Sequence, residues 1–258
     1  MLTSLEQLRK FKLQATDGEI GRVRDVLIEE GNWTARWLVA DTGDWLLGKK
    51  VLLSPHALKE PDMENEVVPV AMDKAQIESS PHLDEDAPVT REYEQSLFDQ
   101  YEWPYYWHGG LLWGQMDHPT SLRLSPQTDE ETELDPPPSP ESEDHPLRSG
   151  HEVTKYQLVS NGKVFGFMED VIMDTSDWTV KYLQIDTRKW FHGLTLHVSP
   201  EKITGISWPD HEIYTDIEEE ELETVKSRAK EETDSQDKNS GMNSLVLAHY
   251  GVILPFVE

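Results

Sequence analysis

The sequence predicts a mainly β fold: two small antiparallel β-barrels in tandem, with short helices, joined by an acidic and partly disordered linker. Three observations lead there. The 258-residue chain aligns with itself at one offset. Each copy alternates short runs of branched apolar residues with Gly, Asn and Pro punctuation, the pattern of closely spaced strands. Between the copies the composition turns acidic, with proline clusters.

A shift of 145 positions superimposes residues 13–55 on the later chain without a gap. Gly21 meets Gly166, Asp25-Val26 meets Asp170-Val171, and Trp33-Thr34 meets Trp178-Thr179. Leu38 meets Leu183, Asp41-Thr42 meets Asp186-Thr187, and Trp45 meets Trp190. Gly48 meets Gly193, and Ser54-Pro55 meets Ser199-Pro200. Chance gives roughly one identity in twenty positions, or about two over this window, so this density marks a repeat.

In the first copy, Ile20, Val23, Val26 and Ile28 define one strand, and residues 35–40 a second after the Gly31-Asn32 turn. Residues 51–53 form a third, Ser54-Pro55 a helical corner, and residues 67–70 the last. The second copy predicts strands at 164–173, 180–185, 194–198 and 212–215. Short helices are expected at 72–77 and at 217–222, the second extending to 230. Closing such strands into a barrel removes exposed edges. The domain map is therefore a first barrel at 1–80, a middle segment at 81–148, a second barrel with its helix at 149–230, and a tail at 231–258.

The middle segment has two parts. Residues 128–148 are acidic and proline-rich, bury too little apolar surface to offset chain entropy, and are expected to be disordered. Ahead of them lies an aromatic island of Tyr101, Trp103, Tyr105, Tyr106, Trp107 and Trp113, in which Pro104 and Gly109-Gly110 argue against a long helix. The island either packs on a barrel of its own chain or serves as a recognition segment, since Trp and Tyr dominate interface hot spots. The apolar stretch at 245–257 either folds back as a strand or contacts another molecule.

Net charge is -27, divided as -4 over residues 1–80, -13 over 81–148 and -10 over 149–258. Such a field repels phosphate backbones and anionic lipid surfaces, which argues against nucleic acid and membrane surfaces as partners. There is no cysteine, which excludes disulfides, thiolate metal sites and thiol nucleophiles. No apolar run approaches the ~20 residues of a membrane span and no signal peptide is apparent, so a cytoplasmic protein without membrane insertion is expected.

No catalytic, metal or cofactor residues are assigned. The ten His residues show no metal spacing, and no phosphate-binding glycine loop occurs. The duplicated carboxylates Asp25 with Asp170 and Asp41 with Asp186 are expected to accept backbone N–H groups at strand ends. Trp45 and Trp190 either cap a barrel mouth or form a paired binding platform. Together with Trp103, Trp107 and Trp113 they are the candidate interaction surface.

The signature Gly21-x-x-x-Asp25-Val26, Trp37-Leu38-Val39, Asp41 and the Gly48 to Pro55 strand-and-corner resembles the PRC-barrel family. Its second occurrence is Gly166-x-x-x-Asp170-Val171, Tyr182-Leu183, Asp186 and Gly193 to Pro200. That family is named for the cytoplasmic barrel of the photosynthetic reaction-centre H subunit. The resemblance covers about 150 residues and implies a docking or assembly module with no shared catalytic residues. The leading expectation is a non-catalytic protein-binding adaptor, because two similar surfaces on one chain raise effective concentration at a partner. Two alternatives stand: a small-ligand protein or enzyme with a cleft between the barrels near Asp41 and Asp186, and a self-assembling homo-oligomer.

Overall fold

A computed structural model describes residues 1–119, 146–187, 195–218, 220–221 and 244–247. The protein is mainly β, and the chain divides into two compact units. The first holds Met1, Gln7–Ser149 and Asp174–Thr179; the second holds Leu2–Glu6, Gly150–Met173 and Val180–Glu258.

In the first unit, strand Lys12–Ala15 pairs antiparallel with the long strand Gly18–Glu29. That strand pairs with Thr34–Asp41, and Thr34–Asp41 with Val51–Leu53. Val67–Pro69 lies parallel to Lys12–Ala15 on the other side. Register shifts between Val23 and Asp25 and between Leu27 and Ile28 bend the long strand, as bulges do. The sheet curls until the corner after Val51–Leu53 meets its far edge: Leu58 bridges Val70, and Ala71 N–H donates to the Ala57 carbonyl at 2.7 Å. The concave face is filled by Phe11, Leu13, Val23, Val26, Leu38 and Leu53, all buried. The corner is a single 3₁₀ turn, Pro55–Ala57, with the Ser54 hydroxyl accepting from His56 N–H at 3.3 Å and proline at the first position, where its missing N–H costs nothing.

In the second unit, Gln157–Ser160 pairs antiparallel with Lys163–Asp174, whose neighbour is Thr179–Asp186, followed by Thr195–Val198. Glu212–Thr215 lies parallel to Gln157–Ser160 and antiparallel to Ile203–Ser207. Registers recur 145 positions apart. Leu13 faces Gly21 and Leu158 faces Gly166. Leu38 faces Leu53 and Leu183 faces Val198. Leu58 bridges Val70, and Ile203 faces Thr215. The backbone of Ser244–Leu247 adds in parallel to Thr195–Val198, so this part of the tail folds back as a strand.

Each unit takes a short leading strand from the other half of the sequence. Leu147–Ser149, just ahead of the second copy, pairs with Leu27–Glu29 in the first unit. Leu2–Ser4, just ahead of the first copy, pairs with the Lys163–Asp174 strand in the second unit. The turn Asp174–Thr179 also belongs to the first unit, where Ala35 N–H donates to the Trp178 carbonyl at 2.7 Å.

One expectation for the middle segment changes, and the segment holds one helix outside the expected elements. Leu147 and Arg148, expected within the disordered linker, lie in the strand Leu147–Ser149. A helix, Arg91–Tyr101, precedes the aromatic island. Thr90 caps it by accepting from Tyr93 N–H at 3.3 Å, Glu92 and Glu94 favour its N-terminal dipole, and Glu102 ends it in the left-handed conformation. The helix expected at 72–77 is found at Lys74–Glu78, opened by a capping box between Asp73 and Gln76. Trp190, Gly193, residues 128–145, most of the helix expected at 217–230 and most of the tail lie outside the described residues.

Candidate functional site

The densest convergence of charged and aromatic groups is buried in the first unit. Glu94, 2% exposed, projects from helix Arg91–Tyr101. Its carboxylate accepts from Trp37 Nε1–H at 2.6 Å, from the Tyr106 hydroxyl at 2.9 Å and from Arg91 at 3.0 Å. Tyr106 in turn accepts from Arg91 at 2.7 Å. Burial pushes the Glu94 carboxyl above its usual range against the opposing pull of Arg91, Trp37 and Tyr106. Burial, and then the neighbouring Glu94 charge, push the Tyr106 phenol well up.

A second buried pair adjoins it. Arg36 reaches Glu29 Oε2 through Nε at 2.8 Å and Nη2 at 2.6 Å, and donates from Nη1 to the Leu112 carbonyl at 2.7 Å. Its guanidinium lies 3.9 Å from the Tyr106 ring centroid and 4.7 Å from that of Trp113. A planar cation between two rings gains cation–π attraction while its N–H groups stay satisfied at the edge. These side chains partner one another across the segment and the sheet, and so tie residues 91–113 to the curled sheet.

The aromatic island therefore packs on its own unit. Trp113 is fully buried, donates Nε1–H to the Asp177 carbonyl at 2.9 Å and meets His56 edge-on at 5.3 Å. This places Trp113 in the core, away from any interaction surface. Trp103 and Trp107 are half-buried; Trp103 stacks on His56 at 6.1 Å and Trp107 packs on Phe98 at 5.2 Å. The sequence reading missed Glu94, Arg36 and Arg91. The available signal was Leu97, Phe98 and Tyr101 at three, four and seven residues beyond Glu94, behind an N-cap threonine.

The duplicated residues hold backbone. Asp25 Oδ1 accepts Val26 N–H at 2.8 Å, and Asp170 Oδ1 accepts Val171 N–H at 2.8 Å. Asp41 accepts Gly43 N–H at 3.1 Å in an exposed turn, and Asp186 ends its strand half-buried. A Cβ on Gly21 would lie 2.0 Å from the Asp41 carbonyl oxygen, and one on Gly166 2.4 Å from Ile185 Cγ2. Trp33 and Trp178 occupy left-handed turn positions, φ 55° and 59°. Gly48 is left-handed at φ 77°, and Pro55 and Pro200 open the two 3₁₀ corners.

The loop between Asp41 and Lys49 is largely exposed. Trp45 is half-buried with the Lys74 ammonium 5.9 Å above its ring, and Leu47 is 81% exposed. No family model matches the chain, and no curated protein matches it. Among the described residues, no group of three or more His, Asp or Glu is placed to hold a metal ion, and no helix is long and apolar enough to cross a membrane.

Proposed function

We propose that this chain is a non-catalytic, cytoplasmic binding module built from two PRC-type barrels, and that the Thr42–Gly48 loop is its contact with a protein partner. One observation carries the reading: Leu47, 81% exposed, stands beside the half-buried Trp45. A large apolar side chain held out of a curled sheet whose other aromatics are packed gains most by burial against a partner. The sequence repeats Asp41-Thr42, Trp45 and Gly48 as Asp186-Thr187, Trp190 and Gly193, with His192 in the place of Leu47. The strongly negative charge favours a partner with basic groups around an apolar seat. The PRC-type assignment rests on the Gly21, Asp25 and Asp41 signature with its second occurrence, and on sheets whose registers recur at the same offset.

The test is photo-crosslinking in cells from a benzophenone amino acid at position 47, with Glu64, on another exposed turn, as control. The reading expects a discrete heavier adduct from position 47 only, lost on Trp45→Ala in the same chain. Equal labelling from both positions, or none from position 47, would refute it. An adduct of twice the chain mass would replace the partner with a second copy.

A further inference from the structure

We propose that the edge at Leu27–Glu29, headed by Asp25, and its counterpart headed by Asp170 are two equivalent strand-accepting sites whose occupants are Leu147–Ser149 and Leu2–Ser4, and that these sites hold the two halves of the chain together. At the first site Leu27, Ile28 and Glu29 face Ser149, Arg148 and Leu147 in antiparallel register. Glu30 N–H donates to the Pro146 carbonyl at 3.1 Å, and Arg148 Nε pairs with Glu30 at 2.9 Å. The Ser149 hydroxyl donates to Asp25 Oδ2. At the second, Leu2–Ser4 pairs with the Lys163–Asp174 strand. Asp170 takes the Glu6 N–H at 3.2 and 3.3 Å on its two oxygens, together with the Ser4 side chain.

The two sites use the same positions. Ser4 and Ser149 are 145 apart, as are Asp25 and Asp170, so each is a serine donating to an aspartate that also receives its own following N–H. Asp170 is only 4% exposed. Without its occupant it would be a buried carboxylate short of donors, beside a strand edge short of hydrogen-bond partners. Each leading strand is short and binds weakly alone. Two engaged at once act as a bivalent clasp, because seating one raises the effective concentration of the other. The first unit thus contains residues from both sides of the 120–145 connection, as does the second, and cutting that connection severs neither.

The experiment inserts a specific protease site within residues 128–140 of the full chain. After complete cleavage, the two fragments are expected to co-elute at the size of the intact protein at micromolar concentration. Fragments carrying Ser4→Ala and Ser149→Ala, which remove only the clasp hydroxyls, are expected to re-associate at least tenfold more weakly. Wild-type fragments that separate at 10 µM, or alanine variants that associate as tightly as wild type, would overturn the proposal. A second readout uses the absence of cysteine. Directly facing antiparallel residues lie about 4.5–5.5 Å apart at Cα, within disulfide range, so Leu27→Cys with Ser149→Cys should join the cleaved fragments on a non-reducing gel. Disulfides found only between chains, or none, would also overturn it.

Discussion

Trp113→Ala tests whether the aromatic segment is part of the core. The indole is fully buried, hydrogen-bonded to the Asp177 carbonyl at 2.9 Å, and one of two rings flanking Arg36. Truncating a buried Trp to Ala costs about 3–5 kcal/mol through lost burial and the cavity left behind, and the orphaned carbonyl adds roughly 1 kcal/mol. A domain has only about 5–15 kcal/mol in hand. For a unit of this size each kcal/mol moves the midpoint by about 2–4 °C, so about 4 kcal/mol gives roughly 8–16 °C. The assay is thermal unfolding by circular dichroism at neutral pH, beside Trp45→Ala. Trp45 is half-exposed in a loop, and its loss should cost about 1 kcal/mol or less. A shift under about 3 °C for Trp113→Ala, or one no larger than that of Trp45→Ala, would refute the packing argument.

Three further outcomes follow from the same geometry. Glu94→Ala leaves Trp37, Tyr106 and Arg91 without their shared acceptor and should cost about 3–5 kcal/mol in urea titration, whereas Glu94→Gln keeps an acceptor and should cost less. Gly21→Ala puts a Cβ 2.0 Å from the Asp41 oxygen at φ +133° and should cost at least about 2 kcal/mol; Gly43→Ala, at φ +56° with open space, should cost only about 1 kcal/mol. Burial holds His197 below the ordinary imidazole range, against the opposing charge of Glu169. The unfolded chain then binds the proton more readily, so this contribution is present above about pH 6.5 and is lost as pH falls through the folded value. Urea midpoints at pH 7.5 and 5.5 should differ less in His197→Gln than in wild type.

Much of the sheet was legible because its signals are local. Alternation over residues 20–28, Gly31-Asn32 as a turn, and the Ser54-Pro55 corner each act through neighbouring backbone, and the second copy repeats them. The helix at Arg91–Tyr101 was obscured by the aromatic run after it, whose Pro104 and glycines hid an ordinary N-cap at Thr90. The Glu94 network was illegible for another reason: Trp37 and Glu94 are 57 positions apart, and only the fold brings their side chains within 2.6 Å. The borrowed strands left no local mark at all. Leu147–Ser149 is three residues of ordinary composition beside an acidic stretch, and its partner is chosen by register and by Asp25, 124 positions away.

Those separations also set a clock on biosynthesis. Glu6 must wait for Asp170, 164 residues later, before its N–H finds an acceptor. At about 5–20 residues per second of elongation, that interval is roughly 8–33 s. Throughout it the nascent chain carries an incomplete sheet and the apolar side chain of Leu5, buried in the folded protein, unhoused, and contacts this distant in sequence are slow to close even after release. Production of the intact protein should therefore respond to translation speed and to chaperones that shield strand edges, more than its fully folded stability alone would suggest.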